Sequence, residues 1–209
     1  RLKILKDHAE LDLGWLKTLE EGMAERAMAV AAARRELISR LGPIALDGLG
    51  PFPGALLSLQ GEIDDWLDNG PALEAEDRYR TKLAADRARD KAGGRTHTGP
   101  HRTDLVVRHA LKGQAAAVCS TGEQKALLIA IILANASLRG LEEGGVPLLL
   151  LDEVTAHLDE QRRNTLFDYL MSLGAQVWMT GTDDSLFGPL KNNAQIFEIS
   201  KCGLKHNAI

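Results

Sequence analysis

"VPLLLLDEVTAHLDE", residues 146–160, carries an uninterrupted apolar run directly into a group of carboxylates. Asp152 and Glu153 follow the last leucine, and Asp159 comes seven residues after Asp152. A short apolar run that ends in charge is typical of a strand buried on both faces, as in a parallel sheet. Ligands of open parallel sheets bind outside the carboxyl ends of the strands. The stretch therefore predicts a central strand with Asp152 and Glu153 at a ligand site.

The two adjacent acids suit phosphoryl transfer. A carboxylate at this place can bind Mg²⁺, which proteins usually hold through one or two carboxylates together with phosphate oxygens and water. The neighbouring Glu153 can orient or deprotonate an attacking water. Four apolar residues followed by Asp-Glu form the Walker B pattern. An acidic pair that ends a strand by chance is the alternative, and this pattern alone leaves both open.

A second motif lies upstream, in "CSTGEQKALLIAIILANA", where a helix predicted at about residues 122–139 is apolar nearly all round. Its amino end carries five polar or small residues: Ser120, Thr121, Gly122, Glu123 and Gln124. The free N–H groups and the positive dipole of a helix start favour a bound phosphate. Ser120 and Glu123 also have the Ser-x-x-Glu spacing of a capping box, which would stabilise the helix without any ligand. The two interpretations are compatible.

Helices and strands alternate through residues 93–209. The predicted strands are "DLVVRH" and "AAAVCS", joined by a turn at "LKGQ", then "VPLLLL", and two further buried strands in "AQVWMTGTD" and "AQIFEIS". Between "VPLLLL" and "AQVWMTGTD", the stretch "DEQRRNTLFDYLMSLG" predicts an amphipathic helix that ends at Gly174. This alternation indicates an α/β fold with a parallel sheet.

Residues 1–92 have a helical pattern instead. A first helix is expected to end at Gly42-Pro43, with further helices at about residues 55–67 and 73–89 and a boundary near Gly93. Apolar residues recur every seven positions in the first helix, at Leu16, Met23, Val30 and Leu37. The pattern fits either one helix of a bundle or part of an antiparallel coiled-coil arm.

Composition narrows the function classes. The 209 residues carry a net charge of −4, with 25 Lys and Arg against 29 acids, which argues against a globally basic binder but not against a local basic face. Two cysteines, Cys119 and Cys202, are too few for a disulfide framework.

The longest apolar stretch, residues 126–136, is about half the length of a membrane span, and no signal peptide opens the chain. We therefore expect a cytoplasmic protein that does not interact with a membrane. Because the chain begins without Met and inside a helical pattern, we expect a fragment.

The motifs have a recognisable order. "STGEQK", a buried helix, "LLLLDE" and "AHLD" resemble the signature motif, Walker B and D-loop of an ABC-type ATPase head. Glu in the signature, and the long helical segment before it, are similar to the SMC-like branch. Within that branch "TGPHRTDL", "LLLLDEVTAHLD", "QVWMTGTD" and "PALEAEDRYRTKLAADRARD" resemble the RecF family of DNA repair proteins. The resemblance implies an α/β part of an ABC-type P-loop ATPase head at residues 93–209 and an all-helical arm at residues 1–92.

The resemblance also implies roles for individual residues. Asp152 would bind Mg²⁺ and Glu153 would polarise the hydrolytic water. The amino end of the signature helix, named above, would contact the γ-phosphate of ATP bound to the opposite subunit of a head-to-head dimer, although Thr121 stands where many relatives have Gly. His157 and Asp159 would lie in the D-loop that crosses the interface. Thr182 takes the place of a histidine found in many relatives, which fits slow hydrolysis.

One expected motif is missing. A nucleotide site of this kind needs a GxxxxGK[ST] loop to cradle the phosphates, and none of the 20 glycines is followed by Lys. In the family that loop lies upstream of the arm. The resemblance therefore implies that these residues are the C-terminal portion of a larger ATPase, inactive by themselves.

Nucleic-acid binding is implied by the family and not by composition. The candidate phosphate contacts are Arg102, Arg108 and Lys112, with a second patch at Arg34 and Arg35. Solvated surface charge explains the same residues. The family implies double-stranded or gapped DNA, the partners RecR and RecO, the loading of RecA, and a link to DNA replication and the SOS response.

Two rival functions remain at this point. One is a structural SMC-like protein whose head mainly dimerises, which a longer heptad region would favour. The other is a metal-dependent nuclease that uses Asp152, Glu153 and Asp159 as a two-metal site.

Overall fold

A computed structural model describes residues 1–7, 12–145, 147–156, 158–200 and 203–207. The chain divides into two compact units. The first unit contains Arg1–Pro43 and Leu56–Arg108, and the second contains Ile44–Ala55 and His109–Ile209. The boundary expected near Gly93 falls inside the first unit, because a strand on either side of that position belongs to one sheet.

The first unit is mostly helical. Its helices are α1 (Leu2–Asp7), α2 (Leu13–Asp47, which ends beyond the unit), α3 (Glu62–Asn69), α4 (Ala72–Ala85) and α5 (Arg87–Gly93). Two strands, β1 (Ala55–Gln60) and β2 (Asp104–His109), form a two-stranded sheet. The prediction of a helix from residue 55 was wrong, so the segment predicted to be all-helical contains one strand. Burial alternates along "ALLSLQ", as the period of two in a half-buried strand requires.

Helix α2 differs from its prediction in two ways. It continues through Pro43 to Asp47, because Leu41 and Ala45 on its last turns are buried. The seven-residue seam is not a buried seam, since Val30 and Leu37 are 40 % and 39 % exposed. The buried face instead follows an ordinary helical period and packs against α3 and α4 through Ala24, Ala27, Met28, Ala31, Ile63, Ala75, Tyr79 and Leu83. This packing favours the helix-bundle interpretation over the coiled-coil arm.

A buried ionic network joins α2 to α5. The Arg1 guanidinium lies 2.9 Å from the carboxylate of Glu20 and 2.6 Å from that of Asp90. Arg87 contacts the second oxygen of Glu20 at 2.5 Å, and His97 Nδ1 lies 2.7 Å from Asp90. Each carboxylate thus faces two partners, which satisfies charges that would otherwise be costly to bury.

The second unit holds the α/β part. It contains α6 (Thr121–Glu143), β3 (Leu149–Leu151), α7 (Glu160–Ser172), β4 (Val177–Met179), β5 (Ile196–Ser200) and β6 (Gly203–Asn207). Strands β3 and β4 are parallel, with Leu151 opposite Met179. Both predicted helices are present, and α7 is followed by Gly174 at φ 65°. The strand predicted in "AAAVCS" is instead a 3₁₀ turn, Ala116–Val118.

One face of β3 and β4 packs into a core and the other does not. Leu149 and Leu151 join α6 and α7 in a cluster with Phe52, Ala126, Ile129, Ala130, Leu133, Ala136, Leu158, Leu166 and Leu170. Leu150, between them, is 72 % exposed, so the prediction of a strand buried on both faces was wrong. Strand β5 was expected in the same buried sheet, but it pairs antiparallel with β6 and leaves Ile199 exposed. We call Leu148, Leu150, Trp178, Phe197 and Ile199 the apolar sheet face.

Helix α6 is the core helix of this unit. By length and composition its residues 121–142 could cross a membrane. The inward residues of the helix pack against β3 within the core cluster, and a core helix of a globular protein passes the same test. Cys119, just before α6, is a buried free thiol, and Cys202 lies outside the described residues.

Candidate functional site

The ends of β3 and β4 bring three polar groups together. Asp152 follows β3, and Thr180 follows β4. The backbone N–H of Thr180 donates to the Leu151 carbonyl at 3.1 Å. The Thr180 hydroxyl donates a hydrogen bond to Asp152 Oδ1. The same hydroxyl oxygen accepts the backbone N–H of Glu153 at 2.9 Å. A single side chain from the neighbouring strand thus fixes both acidic positions.

Glu153 has an unusual backbone. Its φ is +47°, and among the described residues it is the one non-glycine residue with positive φ. Such a conformation costs roughly 1–2 kcal/mol for a residue with a side chain and persists only where neighbouring contacts impose it. The hydrogen bond from Glu153 N–H to Thr180 is such a contact. The strained residue therefore lies directly after Asp152 at the strand end, and the shared ligand site expected for the two acids stays a prediction.

The turn after Glu153 leads into α7. Leu158 N–H donates to the Thr155 carbonyl at 3.2 Å, and Asp159 is the N-cap of α7, where its carboxylate accepts the Arg162 N–H at 2.8 Å. Asp159 therefore has a local role in helix capping, and its predicted role across a dimer interface stays a prediction. His157, the other predicted D-loop residue, lies outside the described residues.

The amino end of α6 has the predicted capping box. Glu123 N–H donates to Ser120 Oγ at 3.4 Å, and Ser120 N–H donates to Glu123 Oε2 at 3.0 Å. Ser120 Oγ itself donates to Glu123 Oε2 at 2.8 Å. Gln124 Nε2 donates to the Cys119 carbonyl at 3.0 Å and so ties the helix to the preceding turn. Thr121 is exposed, and a side chain built at Gly122 would meet open space.

A lysine completes this arrangement. Lys112, in the turn after β2, forms an ion pair with Glu123 Oε1. Hydrogen bonds from Lys112 and then from Ser120 lower the pKa of the Glu123 carboxyl to about 2. The same hydrogen bond raises the pKa of Lys112. The helix start therefore carries a fixed, fully charged carboxylate with its own counter-ion.

The loop after β4 contains the remaining predicted contact. Thr182 is exposed. Its neighbour Asp183 accepts Ser185 N–H at 2.9 Å and caps a 3₁₀ turn, Asp184–Leu190, and hydrogen bonds from Ser185 lower the pKa of Asp183. Gly181 packs beneath Phe187, where a Cβ would come within 2.7 Å of the ring. The loop is thus held in place on both sides of Thr182.

Magnesium fits Asp152 as it stands. The carboxylate is exposed and receives one hydrogen bond, from Thr180, so lone pairs remain for a cation. Among the described residues no group of three or more His, Cys, Asp or Glu side chains is placed to hold a metal ion. Magnesium needs only one or two protein carboxylates when phosphate oxygens and water complete its coordination.

The residues predicted to contact DNA have different surroundings. Arg34 donates to the Pro100 carbonyl, and Arg35 pairs with Asp68 at 2.7 Å. Lys112 pairs with Glu123, as described above. Arg102 and Arg108 are exposed on the 3₁₀ turn Pro100–Arg102 and on β2. Their role in DNA binding stays a prediction.

Sequence reasoning missed Thr180 and the ion pair between Lys112 and Glu123. Thr180 had a usable signal. It is the first polar residue after the strand "VWM", and aligning the ends of two parallel strands places it beside Asp152. Lys112 had no such signal, because a turn eleven residues away from Glu123 has no fixed direction.

Comparison with known proteins identifies the family. No family model matches the chain. The DNA replication and repair protein RecF of Mesorhizobium japonicum is 47 % identical over 201 residues, which are 95 % of this chain and 53 % of that protein. The RecF of Rhizobium etli is 48 % identical over 198 residues, with 94 % and 53 % covered. The chain belongs to the RecF family. It spans about half the length of the curated RecF proteins that it matches.

Solved RecF structures confirm the fold. The recombination mediator protein RecF with ATPrS, of the RecFOR pathway, has a TM-score of 0.76 and 21 % identity over 99 % of this chain and 54 % of that one. The RecF structure with ATP has the same TM-score and identity, with 55 % of its chain covered. The predicted mixed helix-and-sheet fold of an ABC-type head is therefore confirmed for this RecF-family chain.

Proposed function

We propose that this chain forms the C-terminal part of a RecF-like, ATP-dependent DNA-binding protein that acts in the cytoplasm. ATP would close a head-to-head dimer on double-stranded or gapped DNA near single-strand gaps, and slow hydrolysis would release it. Asp152 would hold Mg²⁺, which neutralises charge on the phosphates. Glu153 would orient the attacking water, and the amino end of α6 would contact the γ-phosphate bound by the partner subunit.

The observation that carries this proposal is the bridge made by Thr180. It holds the Asp152 carboxylate and the Glu153 backbone at the ends of two parallel strands, the place where α/β proteins bind ligands. A conformation as costly as the positive φ of Glu153 is expected at functional sites. Within the described residues, no hydrogen bond or ion pair links this group to Ser120.

The apolar sheet face supports a larger protein. Leu150 and Trp178 are register partners on β3 and β4, 72 % and 53 % exposed, and Trp178 stacks on Phe197 with ring centroids 6.2 Å apart. Contiguous exposed apolar surface of this kind marks a contact with another polypeptide. We propose that the part of the RecF protein that precedes this chain, with its phosphate-binding loop, covers this face.

DNA and protein partners are proposed from the family. The relatives are DNA replication and repair proteins, and the solved structures belong to the RecFOR pathway. We therefore propose RecR and RecO as partners, RecA loading as the outcome, and Arg102 and Arg108 as the first phosphate contacts to test. Replacing either arginine should weaken DNA binding about equally for all sequences and make it less dependent on salt.

Calorimetry tests the proposal. The 209-residue chain should show no binding of ATP with Mg²⁺, whereas the full-length protein should bind it. Micromolar binding by the chain alone would mean a complete nucleotide site within it and would contradict the half-site. A full-length protein that binds no ATP would contradict the ATPase proposal altogether.

A further inference from the structure

The hydroxyl proton of Ser120 is already in use. Ser120 Oγ donates its one proton to Glu123 Oε2 at 2.8 Å and accepts the Glu123 N–H. To donate to a phosphate, the hydroxyl must turn away from Glu123. A phosphate that reaches Ser120 would then lie close to a carboxylate of the same sign of charge.

Glu123 therefore has two opposing effects on anion binding at the amino end of α6. Its carboxylate completes the capping box and holds the helix start in shape. Its negative charge also partly cancels the positive helix dipole that favours an anion there. A cation beside Glu123 would remove the second effect and keep the first.

Lys112 occupies that position. Its Nζ contacts Glu123 Oε1, the oxygen that the capping box leaves unused, while Oε2 receives both bonds from Ser120. The two oxygens are thus divided between the cap and the cation. The lysine side chain is 49 % exposed and the glutamate 22 %, so the pair lies at the surface where a ligand can approach.

We propose that Lys112 is a positioning residue of the nucleotide site, which neutralises Glu123 so that the capped helix start can accept the γ-phosphate of ATP held by the partner subunit. This inference rests on the proposed function. It is an alternative to the predicted contact of Lys112 with DNA, and it is favoured by the ion pair that holds the ammonium group against Glu123 of α6.

A double-mutant cycle in the full-length protein tests it. Lys112→Ala is combined with Glu123→Gln, which removes the charge but keeps a capping box, since Gln serves at that position as Glu does. The measured quantity is the ATP-driven dimerisation constant by sedimentation, with hydrolysis blocked by Glu153→Gln. ATP binding to the monomer is measured alongside.

Lys112→Ala should weaken ATP-driven dimerisation by about tenfold per site, the scale of one uncompensated charge near a partly exposed anion. ATP binding to the monomer should not change, and Lys112→Arg should restore dimerisation. In the Glu123→Gln background, Lys112→Ala should have no effect. The matched control is Lys82→Ala, which removes another exposed Lys–Glu pair, with Glu62 at 3.0 Å, and should leave dimerisation unchanged.

Other outcomes separate the two proposals. An equal loss from Lys112→Ala in the Glu123→Gln background would mean that Lys112 contacts phosphate or DNA itself, and the inference would be overturned. If the Lys112→Ala variant dimerises with ATP as strongly as the wild type, the inference is overturned as well. A wild-type protein that does not dimerise with ATP would instead refute the proposed function, and this inference with it.

Discussion

The hydroxyl of Thr180 donates a hydrogen bond to the carboxylate of Asp152 across two parallel strands. Its oxygen also accepts the backbone N–H of Glu153 at 2.9 Å. One side chain therefore orients the residue proposed to hold Mg²⁺ and supports the strained backbone of the residue proposed to orient water. Groups that orient a metal ligand typically change metal affinity or activity by about 10–100-fold when they are removed.

Thr180→Val should lower the ATPase rate of the full-length protein by about 10–100-fold, because valine keeps the shape and loses both hydrogen bonds. Thr180→Ser should retain most of the rate. Steady-state hydrolysis over a range of Mg²⁺ concentrations measures both. Thr81→Val, a change of the same kind on an exposed face of α4, is the matched control. A Thr180→Val protein with full activity would remove Thr180 from the site.

The sequence predicted local structure well where residues close in the chain dictate it. The strand before Asp152, the capping box of Ser120 and Glu123, and both helices of the α/β part are present, although the strand is buried on one face only. Each depends on contacts between residues close in the chain or on the pattern of a single element. The parallel pairing of β3 with β4 also followed from their apolar composition.

The errors arose where distant parts of the chain determine the outcome. Pro43 lies inside α2 because burial of Leu41 and Ala45 outweighs the lost helical hydrogen bond. The strand β1 exists because β2, far along the chain, pairs with it. Leu150 is apolar yet exposed, since its pattern matches a surface that the described residues do not cover.

Substitution can separate the proposed role of the Glu153 carboxylate, which is to orient water, from the strain in the Glu153 backbone. Glu153→Gln keeps the backbone strain and removes the charge, so the full-length protein should trap an ATP-bound dimer with unchanged unfolding free energy. Glu153→Gly should also abolish hydrolysis but gain up to about 1 kcal/mol of stability, because glycine adopts the φ of +47° without strain. Hydrolysis assays and urea unfolding measure the two effects. Hydrolysis at the parent rate in Glu153→Gln would show that the assigned role is wrong.

The buried ionic network of the first unit predicts a large loss of stability. Glu20 is 2 % exposed at its side chain and pairs with Arg1 and Arg87. Burial works to raise the pKa of Glu20, but the hydrogen bonds from Arg87 and Arg1 lower it overall. Glu20→Gln removes one of the two carboxylates that compensate the buried Arg1 charge, and the one that faces Arg87, and should cost about 3–5 kcal/mol in urea unfolding. Glu62→Gln, which breaks an exposed pair with Lys82, should cost less than about 1 kcal/mol.

The contacts of Glu123 with Lys112 and, second, with Ser120 in the capping box predict a specific pH dependence of stability. Glu123 has a pKa of about 2 against an ordinary value of 4.5. Its contribution to stability is therefore complete above pH 4.5 and is lost as the pH falls from 4.5 towards 2. Carboxyl chemical shifts of the 209-residue chain should show Glu123 titrating well below the exposed acids. Lys112→Ala should move that titration upwards, and an unmoved titration would show that the ion pair does not form in solution.

The apolar sheet face should be covered when the rest of the protein is present. Trp178 is 53 % exposed, so its fluorescence in the 209-residue chain should resemble that of a solvated indole. Addition of the preceding half of the RecF protein should shift the emission to the blue, because that half is proposed to pack on β3 and β4. Trp178→Phe distinguishes the signal of Trp178 from those of Trp15 and Trp66.

Leu150→Asp should leave the isolated chain folded, since Leu150 is 72 % exposed, and prevent the two halves from associating. Association that survives Leu150→Asp would place the partner half elsewhere on this unit.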